Sequence, residues 1–363
     1  MSAAVLEART GAQDAPDEAP APVADSIRAG RARREARRRR VGAALLLALL
    51  VLAAVDLAWG ERWYAVMEVF AVLTGRDAPG AAFAIGELRL PRVLIALLAG
   101  AALGIGGRAS QTMLRNQLAS PDVIGVTSGS SAAAVVAILL WGWSGIAVNI
   151  LALGVGLGVA LAILALAGRD GSQGGRIVLI GIGASAMFTA VTNYVQLRAK
   201  VQDLPEAMRW LSGSLASASW DQAPLLGGAL LLLGVPLILL GRELELLRLG
   251  DDTAIGLGVD VPRSRLLVLL AVVGLSSFAA ATTGPIAFVA FLAGPITTRL
   301  VGPNDSALLI ESGLVGAALV LAADIAGQHL FWSVLPVGVV TGIIGAPALL
   351  LQIIALNRKG GLA

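Results

Sequence analysis

The sequence has 363 residues, of which 57% are hydrophobic and only 14% charged. A soluble domain carries about 25% charged residues, so a water-soluble globule is excluded for want of polar surface, and a disordered chain is excluded by the excess of apolar residues. No Cys is present and His329 is the single His, which excludes disulfides, thiolate and multi-His metal sites, and Cys catalysis.

In chain order, residues 1–40 stand apart. They hold nine Arg (Arg9, Arg28, Arg31, Arg33, Arg34, Arg37, Arg38, Arg39 and Arg40) of the 27 Lys and Arg in the chain, six acids, and Pro16, Pro20 and Pro22. They read as a disordered, Arg-rich cytoplasmic tail: an acidic arm over 1–25 and a basic juxtamembrane segment over 26–40. A basic block directly before an apolar span is an anchor, which outweighs a nucleic-acid reading; no nucleic-acid partner is expected. Residues 41–357 form a membrane domain and 358–363 a cytoplasmic C-terminus.

About 20 apolar residues cross a bilayer as a helix. Ten such spans are expected, at 41–59, 88–113, 121–141, 144–167, 175–198, 221–241, 264–283, 285–301, 307–327 and 334–356. The fold class is therefore all-α and polytopic, with ten transmembrane helices. The 44 Gly suit close helix packing. With both termini on the cytoplasmic side, twenty Lys and Arg fall inside and seven outside, in line with the positive-inside rule. Six of the seven Trp fall near outer span ends, as an aromatic belt does.

The membrane interior is made of Gly, Ala, Leu, Val, Ser and Thr. Asp56, Asp122, Glu311, Asp324 and His329 sit near expected span ends. Ion-coupled transporters place ionisable groups mid-helix, so a wide chamber for a bulky substrate fits better than an ion relay. Its driving energy then comes from a partner. The segment Gly125-Val-Thr-Ser-Gly129 has one residue too many for the Gly-x-Ser-Gly of an intramembrane serine protease, and small-residue packing explains it more simply.

The loop over 242–262 contains Leu249-Gly250-Asp251-Asp252-Thr253-Ala254, then Leu257-Gly258. Gly250 can end one short helix, and Asp251 or Asp252 can cap the next. Such a short surface helix suits docking into another protein; a plain surface loop is the alternative.

Six stretches, in order, resemble one family. They are Leu88-Arg-Leu-Pro-Arg-Val93; Gln111 through Val126, with Ser128-Gly129; Gly213-Ser-Leu-Ala-Ser-Ala-Ser-Trp220; the Leu249–Val259 loop; Gly284-Pro-Ile-Ala-Phe-Val289; and Leu335-Pro-Val-Gly-Val-Val-Thr-Gly342, with Gly345-Ala-Pro347. Together they cover roughly 85–357, and they resemble the membrane-spanning subunits of the FecCD/vitamin B12 group of ABC importers. The resemblance implies a ten-helix, type II ABC importer permease fold in the bacterial inner membrane. It implies a two-fold permease dimer, a dimer of cytoplasmic ATPases and an extracytoplasmic substrate-binding protein. Leu249, Gly250, Asp251, Asp252, Thr253, Ala254, Leu257 and Gly258 would couple to the ATPase. Arg89 and Arg92 would dock acidic groups of the binding protein. No Walker motif occurs, so the chain is not expected to be an enzyme: it would bind no metal or cofactor, and ATP and Mg would sit on the partners.

Four departures from the family pattern matter. Gly294-Pro295-Ile296 replaces Pro-His-Ile, and Pro295 is expected to kink its helix. Gln328-His329 stands where relatives carry an Arg. Gly174 and Gly175 occupy the cytoplasmic gate region, where relatives place hydroxyls. The Arg-rich tail is extra. These departures favour a heterodimer with a different permease chain. Ferric siderophores are the favoured cargo, cobalamin or haem the alternative within the family, and an ion-coupled secondary transporter the distant one.

Overall fold

The computed structural model describes residues 23–60, 62–76, 80–120, 125–167, 173–302 and 306–360. Among the described residues the chain is all-helical, with no strand.

Helix α1 runs from Val23 to Ala58 without a break. The expectation of a disordered tail is therefore corrected for residues 23–40, which extend the first span as helix; the acidic arm before Val23 lies outside the described residues. Ala, Arg and Glu are strong helix formers, and Glu35 and Arg39 pair at i,i+4 with 2.5 Å between Oε1 and Nη2. Long-range contacts also hold the extension. Arg38 Nε donates to Glu311 Oε1 at 2.5 Å, and Arg37 Nη2 donates to the Leu300 carbonyl at 3.1 Å.

A short helix, α2 (Val66–Leu73), follows in the first connection, its N-terminus closed by the Glu68 carboxylate on the Ala65 amide. A π-helical run, Ala82–Arg89, leads without interruption into α3 (Leu90–Met113). Then come α4 (Val126–Trp141), α5 (Ile146–Ala167), α6 (Gln173–Arg198) and the short α7 (Leu204–Leu211). The next span, Trp220–Leu239, is uneven: a 3-10 turn, α8 (Ala223–Ala229), a π-helical turn and α9 (Val235–Leu239). Pro224 and Pro236 lack the amide hydrogens that a regular ladder needs. The chain closes with α10 (Gly241–Leu247), α11 (Asp251–Gly256), α12 (Val261–Thr283), α13 (Val289–Val301), α14 (Leu309–His329) and α15 (Val337–Gly360).

Seven helices among the described residues are long and apolar enough to cross a membrane. Two of the other expected spans are the shorter apolar helices α4 and α13, and α6 occupies the last. The span expected from 285 is short because Gly284–Phe288 is not helical: Gly284 has φ +69° and Phe288 φ +64°, so helix starts only at Val289.

Helix α3 is the hub and buries 18 of its 24 residues. It packs most closely on α14 through glycine. A Cβ on Gly104 would stand 2.2 Å from the Ser312 carbonyl oxygen, and one on Gly316 would stand 2.2 Å from that of Gly100. A Cβ on Gly107 would lie 1.9 Å from the Ala290 carbonyl on α13. Lipid supplies no hydrophobic drive between helices, so such backbone-to-backbone approach is what holds membrane helices together.

Candidate functional site

At the end of the bundle that carries the Arg-rich helix, α10 and α11 form a tight hairpin. Gly250 (φ +109°) turns the chain between them, a conformation open to Gly and strained for other residues. Ala254 is fully buried against Leu247 and Val261. Leu249, Ile255 and Leu257 point outward at 62, 59 and 58% exposure and make the tip apolar. Asp252, Thr253 and Gly258 are exposed as well, and Asp251 half so.

The hairpin is tied to three long helices. Asp251 Oδ1 accepts from Arg265 of α12 at 2.8 Å and from Arg115, just past α3, at 3.5 Å. Ser264 of α12 donates its hydroxyl to Glu243. Glu245 accepts from the Ala307 amide, two residues before α14, at 3.0 Å. Hydrogen bonds to charged groups thus join the hairpin to α12, to the end of α3 and to the start of α14. The residues expected to couple, Leu249 to Gly258, share this hairpin; Ala254 among them faces inward, and Ile255, which was not among them, faces outward. The signal for Ile255 was available: it is the apolar residue next to a small one in a one-turn helix, and only one of the two can face inward.

At the opposite end, Arg92 forms a two-pronged ion pair with Asp324 of α14, Nε to Oδ2 2.7 Å and Nη2 to Oδ1 2.8 Å. Gln328 Nε2 donates to Asp324 at 2.9 Å and to Asp56 of α1 at 3.1 Å. Arg89 donates to the Leu57 carbonyl at 2.8 Å and to the Arg62 carbonyl at 3.4 Å, with its guanidinium 4.9 Å from the centre of the Tyr64 ring. Both arginines thus turn toward the protein and join α1, α3 and α14. His329 stacks on Trp59 at 4.4 Å.

Three irregular segments meet nearby. The Ser214 amide donates to the Thr283 carbonyl at 2.7 Å, and the Gly338 amide to that of Gly213 at 3.0 Å. A Cβ on Gly213, Gly284 or Gly338 would fall within 2.3 Å of a backbone oxygen across this junction. Beside it lies a cavity of about 350 Å³ lined with polar groups including Asn149, Arg209, Ser214, Asp221 and Thr283. A second cavity, of about 440 Å³, opens between Leu118, Ser120, Thr127 and Ser128 on one side and the α12–α13 break on the other, with Pro285, Phe288, Phe291 and Leu349 in its wall. Phe288 is held in place by Gly345 of α15, where a Cβ would come within 2.4 Å of its ring. The wall of this cavity is aromatic in part, through Phe288 and Phe291. Gly174 and Gly175 fall in the first turn of α6; their surroundings lie outside the described residues. No cluster of His, Cys, Asp or Glu that could hold a metal occurs among the described residues.

This arrangement has known counterparts. The FecCD transport family matches residues 46–355. The ferric enterobactin transport system permease protein FepG of Escherichia coli (strain K12) is 40% identical, across 89% of this chain and 98% of its own length. The achromobactin transport system permease protein CbrC of Dickeya dadantii (strain 3937) is 39% identical, across 87% and 91%. Among solved structures, a metal-chelate type ABC transporter in an inward-facing conformation superposes with a TM-score of 0.77 at 28% identity, over 87% of this chain and 99% of that one. The order of the helices, the hairpin and these matches lead to one assignment: the chain belongs to the FecCD transport family.

Proposed function

We propose that this chain is a membrane-spanning permease subunit of an ABC importer that takes up ferric siderophores. The observation that carries the reading is the likeness to FepG over 98% of that protein's length. The α10–α11 hairpin, with its exposed apolar tip and its ties to α3, α12 and α14, is the contact through which cytoplasmic ATPases move the permease. ATP and Mg belong to those ATPases, and this chain hydrolyses nothing. Ten helices cross the bacterial inner membrane in a type II arrangement, with both termini, and residues 358–363, in the cytoplasm. A second, different permease chain completes the pathway, which runs past the Phe288 wall toward the Gly174–Gly175 region. A substrate-binding protein docks from outside over the corner organised by Arg89 and Arg92. Binding of ATP and of the binding protein to different states drives the alternation.

The test is uptake of iron-labelled catecholate siderophore, haem and cobalamin by cells lacking this chain. Loss of siderophore uptake alone, restored by the wild-type gene, is the expected outcome. Unchanged siderophore uptake with lost haem or cobalamin uptake overturns the cargo assignment.

A further inference from the structure

The proposed function uses the α10–α11 hairpin but leaves the first two dozen angstroms of α1 without a role. Counting back from Ala58, about 20 residues at 1.5 Å each cross the hydrocarbon core. The helix therefore leaves the core at about residue 39, among the arginines Arg37–Arg40. It continues to Val23, roughly 24 Å further. The headgroup layer beyond the core is only about 5–8 Å deep. Arg31 stands roughly 12 Å past residue 39 and so clears it.

The rotation of this extension is fixed. The Arg38–Glu311 and Arg37–Leu300 contacts pin one face against the ends of α13 and α14. Ile27, Arg31, Arg34 and Arg38 recur at i, i+4, i+7 and i+11, so they share that face. Ile27 and Arg31 lie on that face nearer the start of the helix than Arg38. Ile27 is 48% exposed and Arg31 is exposed. Arg33 is exposed too but lies about 140° around the helix from Arg38. Ile27 beside the Arg31 guanidinium, both past the headgroup layer, matches a protein groove with acidic walls.

We propose that the Ile27–Arg31 face of α1 docks in an acidic groove of the partner ATPase, as a second contact beside the α10–α11 hairpin. The proposal rests on the ABC permease reading. Because the extension is pinned to α14 through Glu311, this contact links the ATPase to the hub pair α3–α14 by a route that does not pass through the hairpin.

The experiment measures affinity between the ATPase and the full-length permease complex in phosphatidylcholine nanodiscs, over a series of salt concentrations. Arg31→Glu is expected to weaken binding at least 10-fold and to flatten its salt dependence, and Arg33→Glu, with the same change of charge, less than 2-fold. Equal effects at both positions, or none at Arg31, overturn the proposal. So does an Arg31→Glu effect that appears only in nanodiscs containing phosphatidylglycerol, which assigns the face to lipid. Because the chain has no Cys, Arg31→Cys gives a second measurement: a thiol crosslink to the ATPase is expected, and its absence counts against the contact. Ile255→Asp separates the two readings. If it weakens ATPase binding while Arg31→Glu does not, only this proposal fails; if Ile255→Asp has no effect either, the hairpin contact of the proposed function fails with it.

Discussion

Gln111 on α3 donates its side-chain amide to the backbone carbonyl of Phe291 on α13, at 2.9 Å. Four residues after Phe291 stands Pro295, which has no amide hydrogen to give that carbonyl. The neighbouring helix therefore supplies the missing donor, as membrane helices require where proline opens the ladder. Gly294 makes room for it: a Cβ there would lie 1.9 Å from Gln111 Oε1. The Gly294-Pro295 variant and Gln111 are parts of one device, and helix α13 runs through Pro295 to Val301.

Gln111→Leu is thus expected to destabilise the chain by about 1–3 kcal/mol, the penalty for a buried carbonyl left unpaired. Gly294→Val should cost a similar amount by expelling the same side chain. Since both act through one bond, the double variant is expected to fall well short of the sum. Thermal unfolding of the purified complex in detergent measures all three; full additivity would show that the bond does not link the two positions.

The hairpin predicts a contrast between neighbours. Ile255→Asp changes only the exposed tip, so the protein should express and unfold like wild type while ATPase binding and transport fall by 10-fold or more. Ala254→Asp places a carboxylate in a fully buried position, and the cost of burying an unpaired charge should appear as lost yield and lower thermal stability. Comparing yield, Tm and ATPase affinity distinguishes the two. Equal behaviour of both variants would mean that the tip is not the contact.

Arg92→Leu strands Asp324, whose side chain is 2% exposed. Removing one member of a buried pair costs about 3 kcal/mol or more, whereas replacing both with apolar residues is often neutral. Arg92→Leu is therefore expected to be poorly stable and Arg92→Leu with Asp324→Leu close to wild type in Tm. A double variant as unstable as the single would show that the ion pair is not what Arg92 provides.

Packing of the hub is tested with glycine. Gly104→Val should prevent α3 and α14 from meeting, because the obstacle is backbone and cannot swing aside. Gly154→Ala on α5, where a Cβ meets nothing within 4 Å, should be neutral or stabilising by up to about 1 kcal/mol. Folded yield and Tm of the two variants give the comparison.

Much of the architecture was legible because hydropathy is a local property. The positions of the spans, the turn at Gly250 and the apolar hairpin can be read from neighbouring residues. The pairings could not be read. Arg92 and Asp324 are 232 positions apart, and Arg38 and Glu311 are 273 apart. Each of these charges sits near a span end and reads alone as a headgroup contact or a docking charge. Only the folded topology shows that they meet. The helical extension before residue 41 was hidden for another reason: arginine is a good helix former, yet a run of like charge reads as a repelling, disordered block. The contacts to Leu300 and Glu311 that settle the question come from the far end of the chain.

The knot of main-chain bonds joining Gly213, Thr283 and Gly338 has a consequence for what substitution can alter at this end of the molecule. A junction made of peptide groups presents no side chain to exchange, and its glycines admit no larger neighbour. Substitution can reshape the wall at Phe288 or the polar groups at Asn149 and Asp221, but it finds no side chain to change in the clasp beside them.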